Sequence, residues 1–305
     1  MASVQLAESI FEMFTQSPAR NDEAVQFAVK NMFLGAAPER EKELIQLWDQ
    51  NQLRFNLLPD DGRDGQFVMD AGAYRDVRFN HRALRAFWVA TFAAWEGYRA
   101  CSESSTDLTS FVSLLNCVSE IMNSDDPTMI PLPPGVPEPG SFVDAAINPQ
   151  ARAAAELAVF ATGWALLHEV RHVQHQRSGS SAAHDSSTED KHTEELSCDE
   201  FATKFILDCV PIYARDNNVS VLQVGQKRQA GVHFGLFALT IIGRDCWSGS
   251  DSHPSIQDRI DHAWRQMNSQ DLNLIAALLS VGAFHSLKQI WPDAPCPPVL
   301  SVSIR

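Results

Sequence analysis

The sequence predicts a mainly α fold of the α+β class, on two observations. Apolar residues recur at helical spacing over most of the 305 residues. Strand-like runs occur only near residues 52–70, on either side of a turn-rich spacer at 59–65, which indicates a small β-hairpin or short strands. Hydrophobic residues make up 45% of the chain and charged residues 20%, which is ample material for a core.

The predicted elements follow in chain order. Apolar positions at helical spacing run from Leu6 to Trp48 in the first fifty residues. An aromatic-rich helix is expected at 81–98, and a second helix at 108–122. After Pro149 the same periodicity predicts helices at 149–176, 192–209, 222–242, 255–267 and 272–290, with a mobile Ser-, Ala- and Asp-rich connection at 177–191.

A proline-rich segment at 125–140 interrupts these helices, because proline cannot continue a helix. It divides the chain into an N-terminal helical and hairpin region, 1–140, and a second region, 141–291, or else it is a strap across one compact unit. The proline-containing tail, 292–305, is expected to be irregular.

The composition excludes several classes of protein. A net charge of −14 disfavours binding to nucleic acid or anionic lipid, so we expect any macromolecular partner to be a protein. The first residues show no signal peptide, and no apolar stretch is long enough to span a bilayer. The six cysteines form no CxxC pair, which argues against a disulfide framework and against a thiolate zinc site. We therefore expect a cytoplasmic protein.

The sequence His168-Glu169-Val170-Arg171-His172 lies at the end of the long apolar helix predicted at 149–176. Histidines at i and i+4 share one face of a helix and can bind one tetrahedral zinc ion, Zn²⁺. The intervening Glu169 is then the candidate general base for hydrolysis. The apolar sequence before the motif agrees with a helix buried inside the protein.

A catalytic zinc ion needs a third protein ligand, and the next predicted helix carries Glu195 and Asp199 four residues apart. Glu195 is the candidate ligand, and Asp199 is expected to accept a hydrogen bond from either His168 or His172. Glu194 points about 100° away around the helix and has no partner four residues on. Cys198 is more typical of a small buried residue than of a ligand.

A third element begins at His253-Pro254, where the proline suits the first turn of a helix. His253, with Arg259 further along that helix, is the candidate donor to the oxyanion of the transition state, and His262 is the fallback. His175 could reach the edge of the site. His184 and His192 lie in or beside the mobile connection and are not expected to bind metal.

The segments 160–172 and 195–207 resemble the Lit peptidases, a family of bacterial phage-exclusion metallopeptidases. The similarity extends over residues 70–265 and is strongest at 157–207. It implies a gluzincin-type, zincin-like helical metallopeptidase core at 141–291, and a host protein as the substrate. Translation elongation factor Tu is the target of the family's archetype. The family usually has alanine where this chain has Cys198.

The motifs and the resemblance together predict a zinc-dependent endopeptidase that acts in phage defence. Residues 1–70 are the expected place for substrate or trigger recognition. The alternatives are a non-catalytic, zinc-stabilised sensor, and an enzyme that stays inhibited until an activating protein or peptide binds. An intact Glu169 argues against the sensor, because a structural zinc site needs no general base. In the inhibited enzyme, residues 178–190 would act as a lid.

Overall fold

The computed structural model describes residues 21–49, 54–58, 67–72, 76–103, 107–268 and 274–298. The predicted spacer at 59–65, the apolar positions near Leu6 and the end of the tail lie outside these ranges. Within them the predicted mainly α class is confirmed. The helices, in chain order, are α1 (Asp22–Gly35), α2 (Glu41–Asp49), α3 (His81–Ser102), α4 (Thr109–Asn123), α5 (Pro149–Ser178), α6 (Thr188–Leu207), α7 (Val210–Asp216), α8 (Val221–Ile242), α9 (Ile256–Asn268) and α10 (Leu274–Ile290).

Local sequence explains both ends of α5. The Asn148 side chain accepts a hydrogen bond from the Ala151 N–H, and Pro149 occupies the first turn. The helix ends at Gly179, whose φ of 71° is a left-handed conformation that glycine adopts without a steric penalty. Ser187 caps α6, so the connection predicted at 177–191 shortens to the residues between Ser178 and Thr188.

The short strands expected near residues 52–70 are present as β1 (Phe55–Leu58) and β2 (Met69–Ala71), but they do not pair as a hairpin. A third strand, β3 (Val77–Asn80), lies between them in the order β1-β3-β2. It pairs in parallel with β1 and antiparallel with β2. Among the described residues, the outer edge of β2 has no strand partner.

The core lies between α3, α5, α8 and α10. Helix α3 packs against α4, α8 and α10, and α5 packs against α6 and α8. At the crossing of α1 and α5, a Cβ atom added to Gly163 would lie only 2.3 Å from the Ala36 Cβ, so this close approach depends on glycine.

The proline-rich segment lies across α3. The Trp88 indole N–H donates to the Pro137 carbonyl at 2.8 Å. Arg85 is 3% exposed at its side chain; it binds Glu138 at 2.8 Å and donates to the Pro127 carbonyl. Because its prolines lack N–H groups, this segment has few backbone donors for its own carbonyl groups, and side chains of α3 supply donors instead.

A buried ion pair joins the residues just before α2 to α8, and its arginine also contacts the last turn of α6. Arg228 on α8 donates to both carboxylate oxygens of Glu39, at 2.6 and 2.7 Å, and to the Ile206 carbonyl at 2.7 Å. The two charged side chains are 1% and 2% exposed. Arg40 donates to the neighbouring Phe205 carbonyl at 3.0 Å.

Across the described ranges, none of the helices combines the length and the hydrophobicity that a membrane crossing requires.

Candidate metal centre

Helices α5 and α6 run antiparallel and are joined by a series of polar side-chain pairs. The Trp164 indole N–H donates to Thr203 Oγ1 at 3.1 Å. Four residues along α5 and four residues back along α6, His168 Nδ1 lies 2.9 Å from Asp199 Oδ1. One further step in the same direction brings His172 to Glu195. The helices therefore face each other in a single register.

His168, His172 and Glu195 meet between these helices. The Nε2 atoms of His168 and His172 are 3.2 Å apart. Glu195 Oε1 lies 3.2 Å from His172 Nε2, and its Oε2 lies 3.4 Å from His168 Nε2. One ligand atom from each residue lies within 4.8 Å of the others. The three side chains form a cluster that could hold a metal ion.

The donor atoms fit such an ion. Glu195 Oε2 is buried and makes no hydrogen bond with the described residues, although an unpaired buried oxygen is costly. The Nε2 atoms of His168 and His172 also face each other at 3.2 Å, so both can direct a lone pair at one ion. Ligands about 2.1 Å from a tetrahedral zinc ion would be about 3.4 Å apart, close to the separations seen here.

Asp199 is completely buried and is shared by His168 and Arg259. Arg259 donates to both of its oxygens, from Nε at 2.8 Å and from Nη2 at 2.7 Å. Burial alone would raise the pKa of Asp199, but the Arg259 charge and the His168 hydrogen bond outweigh it and keep that pKa below its ordinary value. An ionised Asp199 holds His168 with Nε2 turned towards the cluster.

Burial lowers the pKa of His168, whereas the hydrogen bond with Asp199 and the nearby Glu195 carboxylate raise it, and the net pKa is about 10. Burial raises the pKa of Glu195, but the neighbouring imidazoles of His168 and His172 hold it well below its ordinary value. The cluster thus combines an ionised carboxylate with imidazoles that bind protons strongly. A metal ion that binds here must displace a proton.

Glu169 lies beside the cluster, with Oε1 4.0 Å from His168 Nε2 and a side chain that is 14% exposed. Burial is the largest influence on its carboxyl group and raises its pKa, despite the opposing charges of His168 and His172. A carboxylate with a raised pKa holds a proton more readily than an ordinary glutamate, which suits a group that accepts a proton and later returns it.

His253 precedes α9 and points into the same site, where its Nε2 lies 3.5 Å from Glu195 Oε1. Ser252 Oγ lies 2.8 Å from the other ring nitrogen, Nδ1. His262, the fallback candidate, instead contacts Gln266 on the same helix at 3.0 Å. The expected partner Arg259 binds Asp199, and its Nη1 lies 4.0 Å from Glu195 Oε2.

The other cysteine and histidine side chains considered at the site have other positions. Burial raises the pKa of the Cys198 thiol, in agreement with a small buried residue. His175 contacts Ser180 Oγ and Ser197 Oγ, each at 2.9 Å. His192 contacts the Ser250 carbonyl at 2.8 Å. His184 is exposed.

Glu194 is part of the site, which the sequence did not reveal. Its Oε1 accepts a hydrogen bond from His172 Nδ1 at 2.8 Å, so each histidine has a carboxylate on its outer nitrogen. The direction of Glu194 around its own helix argued only against a role as metal ligand, not against a contact with one. A contact with His172 depends on the distance and register between two helices, which spacing along one helix does not give.

The cluster opens into a cleft of about 420 Å³. Strand β2 forms one wall and α5 forms another. The cleft has an apolar part near Trp164 and a polar part near Gln176. All of the expected site residues except Asp199 line the cleft. The other side chains around it are Phe67, Met69, Asp70, Ala71, Phe87, Trp164, Ala165, Gln176, Ser181, Glu194 and Leu239.

Fold and site together define a mainly helical protein with a two-histidine, one-glutamate cluster at the base of an open cleft. Residues 77–279 match the family described as Peptidase U49, and the chain belongs to that family. It is therefore a peptidase. The matched residues include the cluster and begin after α1, α2, β1 and β2. No curated protein and no solved structure matches the chain.

Proposed function

We propose that this peptidase is a zinc-dependent endopeptidase with His168, His172 and Glu195 as its metal ligands. The observation that carries the proposal is the convergence of these side chains beside Glu169 in an open cleft. The sequence pattern and the peptidase family support the same chemistry. Two nitrogen donors and one carboxylate, with room for a further ligand, are typical of catalytic zinc.

When bound, zinc would supply Lewis-acid activation of a water molecule and of the scissile carbonyl group. Glu169 accepts a proton from the attacking water and passes it to the leaving amine, and its raised pKa suits both transfers. His253 donates a hydrogen bond to the carbonyl oxygen as negative charge develops there. Arg259 keeps Asp199 ionised, and Asp199 holds His168 in the orientation that binding requires.

Strand β2 supports a polypeptide substrate. Its residues 69–71 form a wall of the cleft, and its outer edge has no strand partner among the described residues. Such an edge presents backbone N–H and C=O groups that can pair with an extended peptide. A peptide held there would lie in the cleft that also contains the cluster and Glu169.

The substitution Glu169→Gln tests the mechanism. We expect it to lower the rate of peptide cleavage by about 10²- to 10⁴-fold, because it removes the general base, while zinc content stays at the wild-type level. Glu156→Gln, on the same helix but in an ion pair with Arg152, is the matched control and should retain activity. His172→Ala should lose zinc. Wild-type cleavage by Glu169→Gln would contradict the assignment.

A role in phage defence is the finer part of the proposal, and it rests on the similarity to the Lit peptidases. Its test is to identify new protein termini in bacterial lysates treated with the wild-type protein or with Glu169→Gln. Lysates from phage-infected and uninfected cells should both be used. Cleavage that appears only in infected lysate would indicate an activating partner, whereas equal cleavage in both would argue against a phage-derived trigger.

A further inference from the structure

We propose that Glu194 is a positioning residue that couples the metal ligand His172 to the rim of the cleft. The inference rests on the proposed metal centre and adds a link between metal binding and the connection from α5 to α6. That connection, residues 179–187, is called the rim loop below.

The Glu194 carboxylate binds both structures at once. Oε1 accepts from His172 Nδ1 at 2.8 Å and from Ser181 Oγ at 3.2 Å, and Oε2 accepts from the Ala182 backbone N–H. Its side chain is only 9% exposed. Each oxygen therefore contacts the rim loop, and one of them also contacts the metal ligand.

The rim loop forms part of the cleft, since Ser181 lies in its wall. A second contact holds the loop near its start, where Ser180 Oγ is 2.9 Å from His175 Nδ1. The left-handed Gly179 reverses the chain between these contacts and α5. Movement of the loop away from the cleft would therefore remove both of its donors to Glu194.

Metal binding through Nε2 of His172 requires the proton of the neutral ring to be on Nδ1. Glu194 accepts a hydrogen bond from that Nδ1–H and so favours the tautomer and ring orientation that bind metal. Ser181 and Ala182 in turn fix the carboxylate. Since coupling between two equilibria is reciprocal, a loop held at Glu194 should strengthen metal binding, and bound metal should hold the loop.

The first measurement is zinc affinity, by competition with a chelator. We expect Glu194→Ala to weaken zinc binding by about 10- to 100-fold, which is typical when the outer partner of a ligand is removed. Ser181→Ala, which leaves every ligand and Glu194 in place, should weaken it by about fivefold. Glu194→Gln should fall between wild type and Glu194→Ala, because one oxygen cannot replace both. Glu156→Gln is the matched control.

The second measurement is hydrogen exchange at the Ala182 amide, with and without zinc. Zinc should slow this exchange in the wild-type chain and leave it unchanged in Glu194→Ala. A purely structural role for Glu194 would give no dependence on zinc. The coupling alone would be overturned if the wild-type chain binds zinc but Ser181→Ala has the same zinc affinity. It would also be overturned if the wild-type chain binds zinc but exchange at Ala182 does not depend on zinc. A wild-type chain that binds no zinc would overturn the metal centre as well.

Discussion

A buried histidine with no assigned role in the mechanism should make the stability of this protein sensitive to mild acid. His233 on α8 is 5% exposed, and its ring packs against Trp264 with a centroid distance of 5.0 Å. Burial lowers the pKa of His233 from 6.5 to about 3. The unfolded chain therefore binds a proton that the folded chain does not bind between these two pH values.

The sign and size of the effect follow from proton linkage. Because the unfolded state takes up the proton, the free energy of unfolding is unaffected by His233 well above pH 6.5. It falls as the pH decreases below 6.5, and this fall ends near pH 3. At about 1.4 kcal/mol per pH unit, His233 should cost about 2 kcal/mol between pH 7 and pH 5. This figure is insensitive to the folded pKa as long as that pKa lies below about 4.

The assay is urea unfolding of the wild-type chain and of His233→Phe at pH 7, 6 and 5. The phenyl ring keeps an aromatic contact with Trp264 but has no proton to bind. We expect the wild-type free energy of unfolding to fall by about 2 kcal/mol more than that of the variant. His285→Phe, at an exposed position, controls for the loss of an imidazole. Identical pH slopes for wild type and His233→Phe would refute the reasoning.

Two further predictions concern packing and buried charge. Gly163→Ala should destabilise the chain by about 1–3 kcal/mol in urea unfolding, because its new Cβ would overlap Ala36. Gly225→Ala, whose Cβ would meet nothing closer than 3.9 Å, should instead stabilise α8 by about 0.5–1 kcal/mol, and equal effects at the two sites would contradict the overlap. Glu39→Gln should cost about 3–5 kcal/mol in thermal or urea unfolding, since it leaves the Arg228 charge buried without its counterion. A loss below about 1 kcal/mol would show that this pair is not desolvated as the structure indicates.

Features that depend on one helix could be predicted from the sequence. The shared face of His168 and His172 follows from their spacing, and the apolar residues before them identified α5 from its first turn. The sequence predicts that α6 begins at 192, four residues after its actual start at Thr188. The serine that caps this helix lies among Ser, Ala and Asp residues that are also typical of a loop. The cap at Ser187 is visible only once its side chain is seen to bind the Asp190 N–H.

The motif spacing predicts that Glu195 on α6 joins the two histidines of α5, but most contacts between two elements could not be predicted. Strand β3 is only four residues long and runs directly into α3, so its alternating pattern is too short to recognise. Its position between β1 and β2 is a long-range pairing that local sequence does not encode. The choice of His168 as the partner of Asp199, the pairing of Arg259 with Asp199 and the contact of Glu194 with His172 all require the helix register.

The series of polar pairs between α5 and α6 fixes the register of one helix against the other. A shift of α6 by one residue would rotate its side chains by about 100° and move them by about 1.5 Å, so Glu194 or Leu196 would face His172 in place of Glu195. The Trp164–Thr203 pair, two helical turns away from Glu195, would be broken by the same shift. Two residues outside the metal cluster thus help to decide which of two adjacent glutamates becomes the ligand. A designer who transfers this site to another pair of helices would need to transfer the Trp164–Thr203 pair together with the ligands.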